Sequence, residues 1–437
     1  MRLTRLTSPA AALGITVVAV TRATAFTRAD TRVGFYDAVT PHYVAMDSHA
    51  VPSSHDLHVR RRDARIVVNG SSSLVNVHDV YYIIDLDMRG EKIPVTVDTG
   101  SSDTWVVKQP YECISLDWEH PERKPNCGLG DGLKGDLSGG VVANVSFGRA
   151  YVDGTFVSGY FGYEDVTLAG LTAKHQRLAI VNSTYWYGDG RTSGLLGLAY
   201  PYMTSLDGAD ASQPLYDPIF TTLWKDKLID PVFSMALSRA ADQTVKQPAA
   251  DEGHETSYLA FGGLPPVSYD AASWARTPIL PMSAINMDTQ ELGLYLIRAE
   301  SFVYGQKGNL TTNGTAWPVL IDAGSTLSVL PRSLVDKLYA AFDPPAKYMS
   351  FNGLFYARCD AKVPEFGVTF GNRTFFFAKE DLLRQSARDP TGEYCRIGVT
   401  DGPDDGSNVL GVTFLSSVVA VFDIGLHEMR FASRVAY

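Results

Sequence analysis

Two stretches of the chain share one pattern of apolar and polar positions. Each runs from apolar, mostly β-branched residues through an acid, a small residue and a glycine, and then through hydroxyl residues into a second apolar run. β-branched residues favour strands, and glycine permits a sharp turn directly after one. We therefore expect each copy to place its acid at the tip of a strand, and the repeat predicts two similar lobes. The copies are Val95-Thr-Val-Asp98-Thr-Gly100-Ser-Ser-Asp-Thr-Trp105-Val-Val and Val319-Leu-Ile-Asp322-Ala-Gly324-Ser-Thr-Leu-Ser-Val-Leu.

The remaining apolar pattern predicts an all-β protein. Gly and Pro are plentiful, at 38 and 23 residues, and no long stretch has helical periodicity. Short apolar or alternating runs bounded by turn residues are typical of strands. In the second of two short helices we expect Pro331 at the first helical position. The predicted elements are a hairpin of 141–147 with 160–168, strands at 77–86, 193–200, 294–298, 317–321 and 418–423, and helices at 218–228 and 331–342.

The length of 437 residues predicts two domains, because a single hydrophobic core rarely serves so long a chain. Two copies of one motif lying far apart support this division. We place an N-terminal lobe at 66–270 and a C-terminal lobe at 271–437. Residues 111–140 and 240–257 are rich in polar and turn-forming residues and are expected to be loops.

The charge of the chain argues against one class of partner. The formal net charge is −10. Binding to phosphates requires clustered Lys and Arg, so we expect no nucleic-acid partner. An acidic surface fits either general solubility or adaptation to low pH, and the sequence does not choose between them.

The first 25 residues have the order of a secretory signal peptide. Arg2 and Arg5 form the basic end, residues 10–20 form the apolar stretch, and Ala23-Thr-Ala25 fits a small-residue cleavage site. The apolar stretch is too short for a membrane-spanning helix, and no apolar run closes the chain. We expect no membrane anchor and a secreted, extracellular protein, with the vacuole as the alternative compartment.

Residues 26–65 are interpreted as a pro-segment whose end is not fixed. They are poor in strand pattern and contain the run Arg60-Arg61-Arg62. Such a run after a signal peptide indicates a processing site, with a solvated basic patch as the alternative. Residues 1–62 contain eight Arg and four Asp, a net charge of +4, so residues 63–437 carry −14 when the total is −10. Opposite charges predict that the pro-segment inhibits the rest of the chain at neutral pH and is released in acid.

The cysteines predict disulfides rather than a metal site. Four Cys in a secreted chain predict two disulfides, with three possible pairings. Metal binding is not expected, because neither a C-x-x-C motif nor a paired His motif is present. Six Asn-X-Ser/Thr sequons fit a glycosylated secreted protein. The cysteines are Cys113, Cys127, Cys359 and Cys395, and the sequons begin at Asn69, Asn144, Asn182, Asn309, Asn313 and Asn372.

Four further motifs lie in order beside the two Asp-containing copies: Tyr151-Val-Asp-Gly-Thr155, Gly194-Leu-Leu-Gly-Leu-Ala-Tyr200, Leu259-Ala-Phe-Gly-Gly263 and Val409-Leu-Gly411. With those copies, they resemble the pepsin-like aspartic proteases, in particular the secreted fungal type, over roughly residues 78–437. The resemblance implies a bilobal all-β fold in which two similar β-barrel-like lobes flank an active-site cleft. It also implies disulfides within each lobe, Cys113 with Cys127 and Cys359 with Cys395.

Two carboxyl groups at one water molecule suffice to hydrolyse a peptide bond. When two Asp side chains lie close together, one pKa falls and the other rises, so one carboxylate takes a proton from water while the other donates to the scissile carbonyl. Asp98 and Asp322 are our candidates for this catalytic pair. The chemistry requires no cofactor and no metal.

Small residues beside the two acids are expected to support them. Gly100 and Gly324 let the backbone approach the carboxylates and donate N–H bonds. The resemblance implies that the hydroxyl of Thr99 crosses to the opposite loop, and that Ser101 and Ser325 hydrogen-bond the aspartates and orient them.

Two positions depart from the family pattern. Ala323 stands where a Thr or Ser is usual, so we expect the bonding between the two loops to be one-sided. Val412 follows Leu-Gly where Asp is common, and we expect this change to alter local packing more than catalysis.

The motif at 151–155 resembles the flap, a hairpin folded over the cleft; an ordinary Asp-Gly turn is the alternative. The resemblance implies a hydrogen bond between Tyr151 and Trp105, although a Trp in a strand is more often core than functional. It places Asp153, Gly154 and Thr155 where flap residues contact the substrate backbone.

The sequence thus predicts a secreted aspartic endopeptidase that acts on polypeptides at acidic pH. We expect a monomer whose own pro-segment is its inhibitor. The alternative is a catalytically weak pepsin-like protein that binds peptides or a protein partner in its cleft. Retention of both Asp, both glycines and the flap tyrosine favours the enzyme.

Overall fold

The computed structural model describes residues 38–50, 80–114, 127–151, 153–204, 215–239, 257–350, 353–402 and 408–435. The predicted signal peptide, the Arg60-Arg61-Arg62 run, the sequon at Asn69 and most of the predicted loop at 240–257 lie outside these residues. Within them, strands predominate, and no helix is long and apolar enough to cross a bilayer.

In the described part of the N-terminal half, ten strands and one α-helix follow one another, with a 3-10 turn at Pro201–Thr204. They are β1 (Tyr43–Ala50), β2 (Val80–Met88), β3 (Glu91–Asp98), β4 (Trp105–Cys113), β5 (Val141–Ala150), β6 (Phe156–Leu168), β7 (Leu171–Tyr185), β8 (Gly194–Gly197), α1 (Ile219–Lys225), β9 (Val232–Ala236) and β10 (Ser257–Phe261).

The described part of the C-terminal half holds sixteen strands, three short α-helices, and 3-10 turns at Ala271–Ser273 and Met282–Ile285. The elements are β11 (Ala275–Pro278), β12 (Leu296–Ala299), β13 (Ser301–Gln306), β14 (Asn309–Asn313), β15 (Trp317–Ile321), β16 (Ser328–Pro331), α2 (Arg332–Ala341), β17 (Lys347–Met349), β18 (Leu354–Arg358), β19 (Glu365–Phe370), β20 (Arg373–Phe376), α3 (Lys379–Leu382), β21 (Leu383–Arg388), β22 (Tyr394–Ile397), β23 (Val399–Gly402), β24 (Val409–Leu410), α4 (Val412–Leu415), β25 (Val418–Asp423) and β26 (Glu428–Ser433).

The two halves repeat one strand arrangement around their acids. In the first, β3 pairs in parallel with β8, and β8 pairs antiparallel with β4. In the second, β15 pairs in parallel with β24, and β24 pairs antiparallel with β16. Asp98 is the last residue of β3 and Asp322 directly follows β15. The predicted all-β fold is confirmed, and the shared arrangement agrees with the two similar lobes that the repeat predicts.

Complete burial of the apolar side chains fixes these two strands. Val95, Val97, Val319 and Ile321 have no exposed surface. A fully buried side chain of this size contributes about 1.5–3 kcal/mol relative to an exposed one. A shift of either strand along its neighbours would expose such residues, so packing sets where each strand ends and where its acid lies.

One long sheet connects the two halves, in the order β11-β26-β25-β9-β10-β1-β2-β3-β8-β4-β7-β6-β5. The first half of β1 pairs with β10, Tyr43 opposite Ala260, and its second half pairs with β2, Asp47 opposite Ile83. This strand lies within residues 26–65, where the sequence predicts little strand structure. Backbone hydrogen bonds to two strands distant in sequence stabilise it despite its weak strand pattern.

The predicted helices are present and shorter than expected. The 218–228 prediction corresponds to α1 and the 331–342 prediction to α2, whose apolar side is buried at Leu334, Val335, Leu338 and Tyr339. The expected position of Pro331 was off by one residue. It is the last residue of β16 and the residue before the first turn of α2, with an extended ψ of 135°.

Candidate active site

Asp98 and Asp322 lie close together between the two lobes: a Cβ atom built on Gly324 would lie 2.4 Å from Asp98 Oδ1 and 3.2 Å from Asp322 Oδ1. Each also accepts a backbone hydrogen bond in its own turn. Gly100 N–H donates to Asp98 Oδ1 at 2.7 Å, and Gly324 N–H donates to Asp322 Oδ1 at 2.8 Å. The repeated Asp-small-Gly turn therefore produces two matching carboxyl sites that face each other.

The two glycines are required by the close approach of the opposite loop. A Cβ atom built on Gly100 would lie 2.8 Å from Asp322 Oδ1, and one on Gly324 would lie 2.4 Å from Asp98 Oδ1. Contacts below 3.0 Å to a fixed carboxylate force a displacement. Each glycine thus leaves room for the acid of the other lobe.

The environment of Asp322 favours the protonated form of its carboxyl group. Burial raises the pKa of Asp322 well above its usual value, and the neighbouring charge of Asp98 raises this pKa further. Hydrogen bonds from the N–H groups of Gly324 and Gly100 oppose part of the shift. Asp322 consequently holds a proton at pH values where an exposed aspartate is ionised.

The hydroxyl of Thr99 crosses between the loops. Its Oγ1 donates to the carbonyl of Ile321 at 3.0 Å and accepts from the N–H of Ala323 at 2.9 Å. Both Thr99 and Ala323 are buried. Ala323 has no hydroxyl that could form the equivalent bonds to the first loop. Of these two residues, only Thr99 therefore contributes side-chain hydrogen bonds between the two turns.

The two outer serines have different hydrogen bonds. Ser101 Oγ donates to Asp98 Oδ2 at 2.5 Å. Ser325 Oγ donates to the carbonyl of Leu327 at 3.1 Å. Val412, the second departure from the family pattern, is buried, and its N–H donates to the carbonyl of Ser325 at 2.8 Å. An apolar side chain therefore packs behind the loop of the second acid.

The flap motif forms a tight turn at the end of the β5–β6 hairpin. Trp105 Nε1 donates to the Tyr151 hydroxyl at 2.7 Å, and Trp105 is fully buried. Gly154 has a φ of 86°, and its N–H donates to the Tyr151 carbonyl at 3.0 Å. Asp153 Oδ1 accepts from the N–H and hydroxyl of Thr155, at 2.9 and 2.7 Å. Thr155 is itself buried, so its hydroxyl faces Asp153 in this conformation.

Trp186 is a neighbour of the flap that sequence reasoning missed. Its ring packs edge-on against Trp105, with centroids 5.1 Å apart, and against Tyr151, at 5.3 Å. The three rings pack together, and burial, followed by the nearby charge of Asp98, raises the pKa of the Tyr151 hydroxyl. The run Tyr185-Trp-Tyr187 before a glycine was the available signal.

Both disulfides that the resemblance implies are present. Cys113 is bonded to Cys127 and Cys359 to Cys395. Each closes a loop within one half of the chain. Among the described residues, no group of three or more His, Cys, Asp or Glu side chains is arranged to hold a metal ion.

Comparisons with known proteins agree with this geometry. Residues 81–434 match the family model for eukaryotic aspartyl proteases. A probable aspartic-type endopeptidase of Aspergillus fumigatus is 35% identical over 84% of this chain and 82% of its own length. Penicillopepsin-1 of Talaromyces stipitatus is 25% identical over 82% and 79% of the two chains, and secreted aspartic protease 8 of Candida albicans is 27% identical over 81% and 75%. The chain belongs to the eukaryotic aspartyl protease family, as a pepsin-like aspartic endopeptidase of the fungal type.

Proposed function

We propose that the protein is a secreted endopeptidase that hydrolyses polypeptides at acidic pH through the pair Asp98 and Asp322. The observation that supports this most directly is the contact between the two carboxyl groups, together with the raised pKa of Asp322. Such a pair supplies one base and one acid at the same water molecule.

In the proposed reaction, Asp98 takes a proton from the attacking water as its oxygen bonds to the scissile carbonyl carbon. Asp322 donates its proton to the carbonyl oxygen, which gives a neutral tetrahedral intermediate. Collapse of the intermediate breaks the C–N bond. The leaving nitrogen receives the proton held by Asp98, and Asp322 regains its proton from the hydroxyl of the intermediate.

The neighbouring residues would hold this pair in place. Five residues surround the two acids. Gly100, Ser101 and Gly324 donate hydrogen bonds to the carboxyl groups, and Thr99 and Ser325 donate to backbone carbonyls of the second loop. This arrangement supports a role in keeping both carboxyl groups oriented before the substrate arrives.

The flap is proposed to bind the backbone of the substrate. The turn at the end of β5 contains Tyr151, Asp153, Gly154 and Thr155. Trp105 donates a hydrogen bond to the hydroxyl of Tyr151. Because Thr155 is buried and bonded to Asp153, contact through its hydroxyl would require the turn to open. A contact through backbone groups requires no such change.

Secretion, or delivery to the vacuole, is proposed from the signal-like residues 1–25. The related protein of Candida albicans is named a secreted aspartic protease, which supports the same route. Residues 26–65 are proposed to be an inhibitory pro-segment, and the enzyme is proposed to act as a monomer. The part of this segment in β1 is hydrogen-bonded to β10 and β2, which supports its association with the folded enzyme.

Digestion of denatured globin between pH 3 and pH 7, with and without pepstatin, tests the proposal. We expect cleavage in acid that pepstatin abolishes. Asp98→Asn and Asp322→Asn should each lose at least about 100-fold in rate, because one carboxyl group cannot serve as both acid and base. Asp288→Asn, an exposed aspartate, is the control and should retain parental activity.

If Asp98→Asn or Asp322→Asn keeps a rate within about tenfold of the parent, the assignment of the catalytic pair is contradicted. A tenfold loss corresponds to only about 1.4 kcal/mol of transition-state stabilisation. Tight binding of peptides or pepstatin without any cleavage would favour the alternative, a pepsin-like binding protein.

A further inference from the structure

Two side-chain contacts join the segment that follows Asp98 to the strand that leads into the flap. One is the hydrogen bond from Trp105 Nε1 to the Tyr151 hydroxyl, at 2.7 Å. Two residues earlier on each segment, Nε of Arg149 forms an ion pair with the carboxylate of Asp103. The two contacts therefore lie two residues apart on both segments.

Asp103 is the centre of a buried polar cluster. The side chain of Asp103 is 3% exposed and that of Arg149 is 10% exposed. The hydroxyl of Tyr216 donates to Asp103 Oδ1, while Arg149 Nη2 donates to the carbonyl of Met203 at 2.9 Å. The guanidinium of Arg177 lies 4.8 Å from the centre of the Tyr216 ring. Both oxygens of Asp103 therefore have partners, and Arg149 is held at two points.

Contacts of this kind resist movement. Charge-assisted hydrogen bonds are stronger where water does not compete, and separating the partners leaves an unpaired charge inside the protein. The flap turn begins at Tyr151, two residues after Arg149. With Arg149 fixed, the base of the flap cannot swing away from the Asp98 segment unless the ion pair breaks.

We infer that Arg149 is a positioning residue: through its hydrogen bonds to Asp103 and to the carbonyl of Met203, it fixes the base of the flap to the segment that carries Asp98 and so holds Tyr151 over the catalytic pair. The inference rests on the proposed function, because it takes Asp98 and Asp322 as that pair. Neither Arg149 nor Asp103 touches the reacting atoms in this scheme.

The test replaces Arg149 with Met, which keeps the length of the side chain and removes the guanidinium. We expect kcat to fall about 10- to 100-fold, because small displacements of a positioned group cost about this much. KM should change by less than about threefold, since the lost contact acts mainly in the transition state. Arg149→Lys keeps the charge and should retain activity within about fivefold of the parent.

A double-mutant cycle with Tyr151→Ala distinguishes positioning from general damage. If Arg149 acts through Tyr151, the combined loss in kcat/KM should fall short of the product of the two single losses by about fivefold or more. Independent effects would multiply, and that result would overturn the inference. A parental kcat in Arg149→Met would overturn it as well.

Arg89→Met is the matched control. Arg89 Nε lies 3.6 Å from Glu164 Oε2, and the glutamate side chain is 1% exposed, so this change also removes an arginine from a buried carboxylate in the same lobe. It should lower the melting temperature and leave kcat unchanged at temperatures where the protein is folded. The same loss of kcat in this variant would assign both effects to structural damage and refute the positioning role.

The outcome is separable from that of the dyad experiment. If Asp98→Asn stays active, the proposed mechanism fails whatever Arg149 does. If Asp98→Asn is inactive and Arg149→Met behaves as the parent, the positioning role alone fails. Should Arg149→Met not fold, Asp103→Ala, which removes the oxygens that accept from Arg149, carries the same measurements and the same criteria.

Discussion

The hydroxyl of Thr99 is hydrogen-bonded to the backbone N–H of Ala323 across the interface between the two lobes, at 2.9 Å. The same hydroxyl donates to the carbonyl of Ile321 at 3.0 Å. One side chain of the first loop therefore satisfies a donor and an acceptor of the second. Because all three residues are buried, water does not replace these bonds when they are lost.

We predict that Thr99→Val, which keeps the shape of the side chain, lowers the free energy of unfolding by roughly 1–3 kcal/mol. It leaves the N–H of Ala323 and the carbonyl of Ile321 buried without this partner. Urea unfolding measures the change. Thr104→Val is the control: Thr104 Oγ1 is buried and has no hydrogen-bond partner among the described residues, so its removal should be neutral or stabilising. Equal losses in both variants would contradict the prediction.

Ala323→Thr should restore a hydroxyl to the second loop and raise the free energy of unfolding by roughly 0.5–1.5 kcal/mol, the usual net value of one hydrogen bond. Thermal unfolding of parent and variant tests this. A marked loss of stability would show that the loops pack too tightly around the alanine for a hydroxyl to enter.

Gly324→Ala should abolish proteolysis. The added methyl group would lie 2.4 Å from Asp98 Oδ1, so the carboxylate must move away from its partner. Because carboxyl groups displaced by about 1 Å lose about 100-fold or more in rate, a globin digestion assay detects the effect readily. Gly314→Ala is the control, since a Cβ atom there meets nothing within 4 Å. An active Gly324→Ala enzyme would refute the close packing of the two turns.

Stability should decrease as the pH rises from the acid range. Burial is the largest cause of a raised pKa at five carboxyl groups, those of Asp103, Asp322, Asp381, Asp423 and Glu428. A group with a raised pKa in the folded state stabilises the fold fully below its unfolded pKa and loses this contribution as the pH rises through the folded pKa. The melting temperature should therefore fall from about pH 4 upwards.

Asp381→Asn tests the origin of this pH dependence. Removing one of the five groups should make the melting temperature fall less steeply with rising pH. Asp288→Asn, at an exposed position, should leave the slope unchanged. A melting temperature that rises between pH 4 and pH 7 in the parent would contradict the assignment of these groups.

The predicted pro-segment should inhibit through charge. A synthetic peptide covering residues 26–62 is expected to inhibit the processed enzyme better at pH 6 than at pH 3, because enzyme carboxylates lose their charge in acid. High salt should reduce the difference between the two pH values. Equal inhibition at both pH values, or no salt effect, would leave the segment as a folding aid or a spacer.

The positions of the two acids could be predicted from the sequence because local signals determine them. The apolar runs that end at Asp98 and Asp322 are buried strands, and the glycines that follow permit the turns. The internal repeat supplied the long-range information that a single strand lacks. It implied that two similar turns belong to two similar lobes that face each other.

Contacts between distant parts of the chain were missed. Strand β1 forms because its first half pairs with β10 and its second half with β2, and the sequence of β1 itself reveals neither neighbour. The ion pair of Arg149 with Asp103 and the packing of Trp186 on Tyr151 likewise depend on the folded geometry. The periodicity of apolar residues predicts strands and helices, but it does not reveal which side chains far apart in sequence contact each other.

The double pairing of β1 has a consequence for the processing that we predict at Arg60-Arg61-Arg62. Cleavage there cuts the covalent link between β1 and the rest of the enzyme and leaves both hydrogen-bonded ladders in place. Dissociation of the peptide would leave unpaired backbone groups on the edges of both β10 and β2. Such exposed edges can pair with strands of other molecules. A processed enzyme that retains the peptide is a two-chain molecule. An enzyme that loses the peptide is prone to self-association unless another segment takes the place of β1 beside β10 and β2.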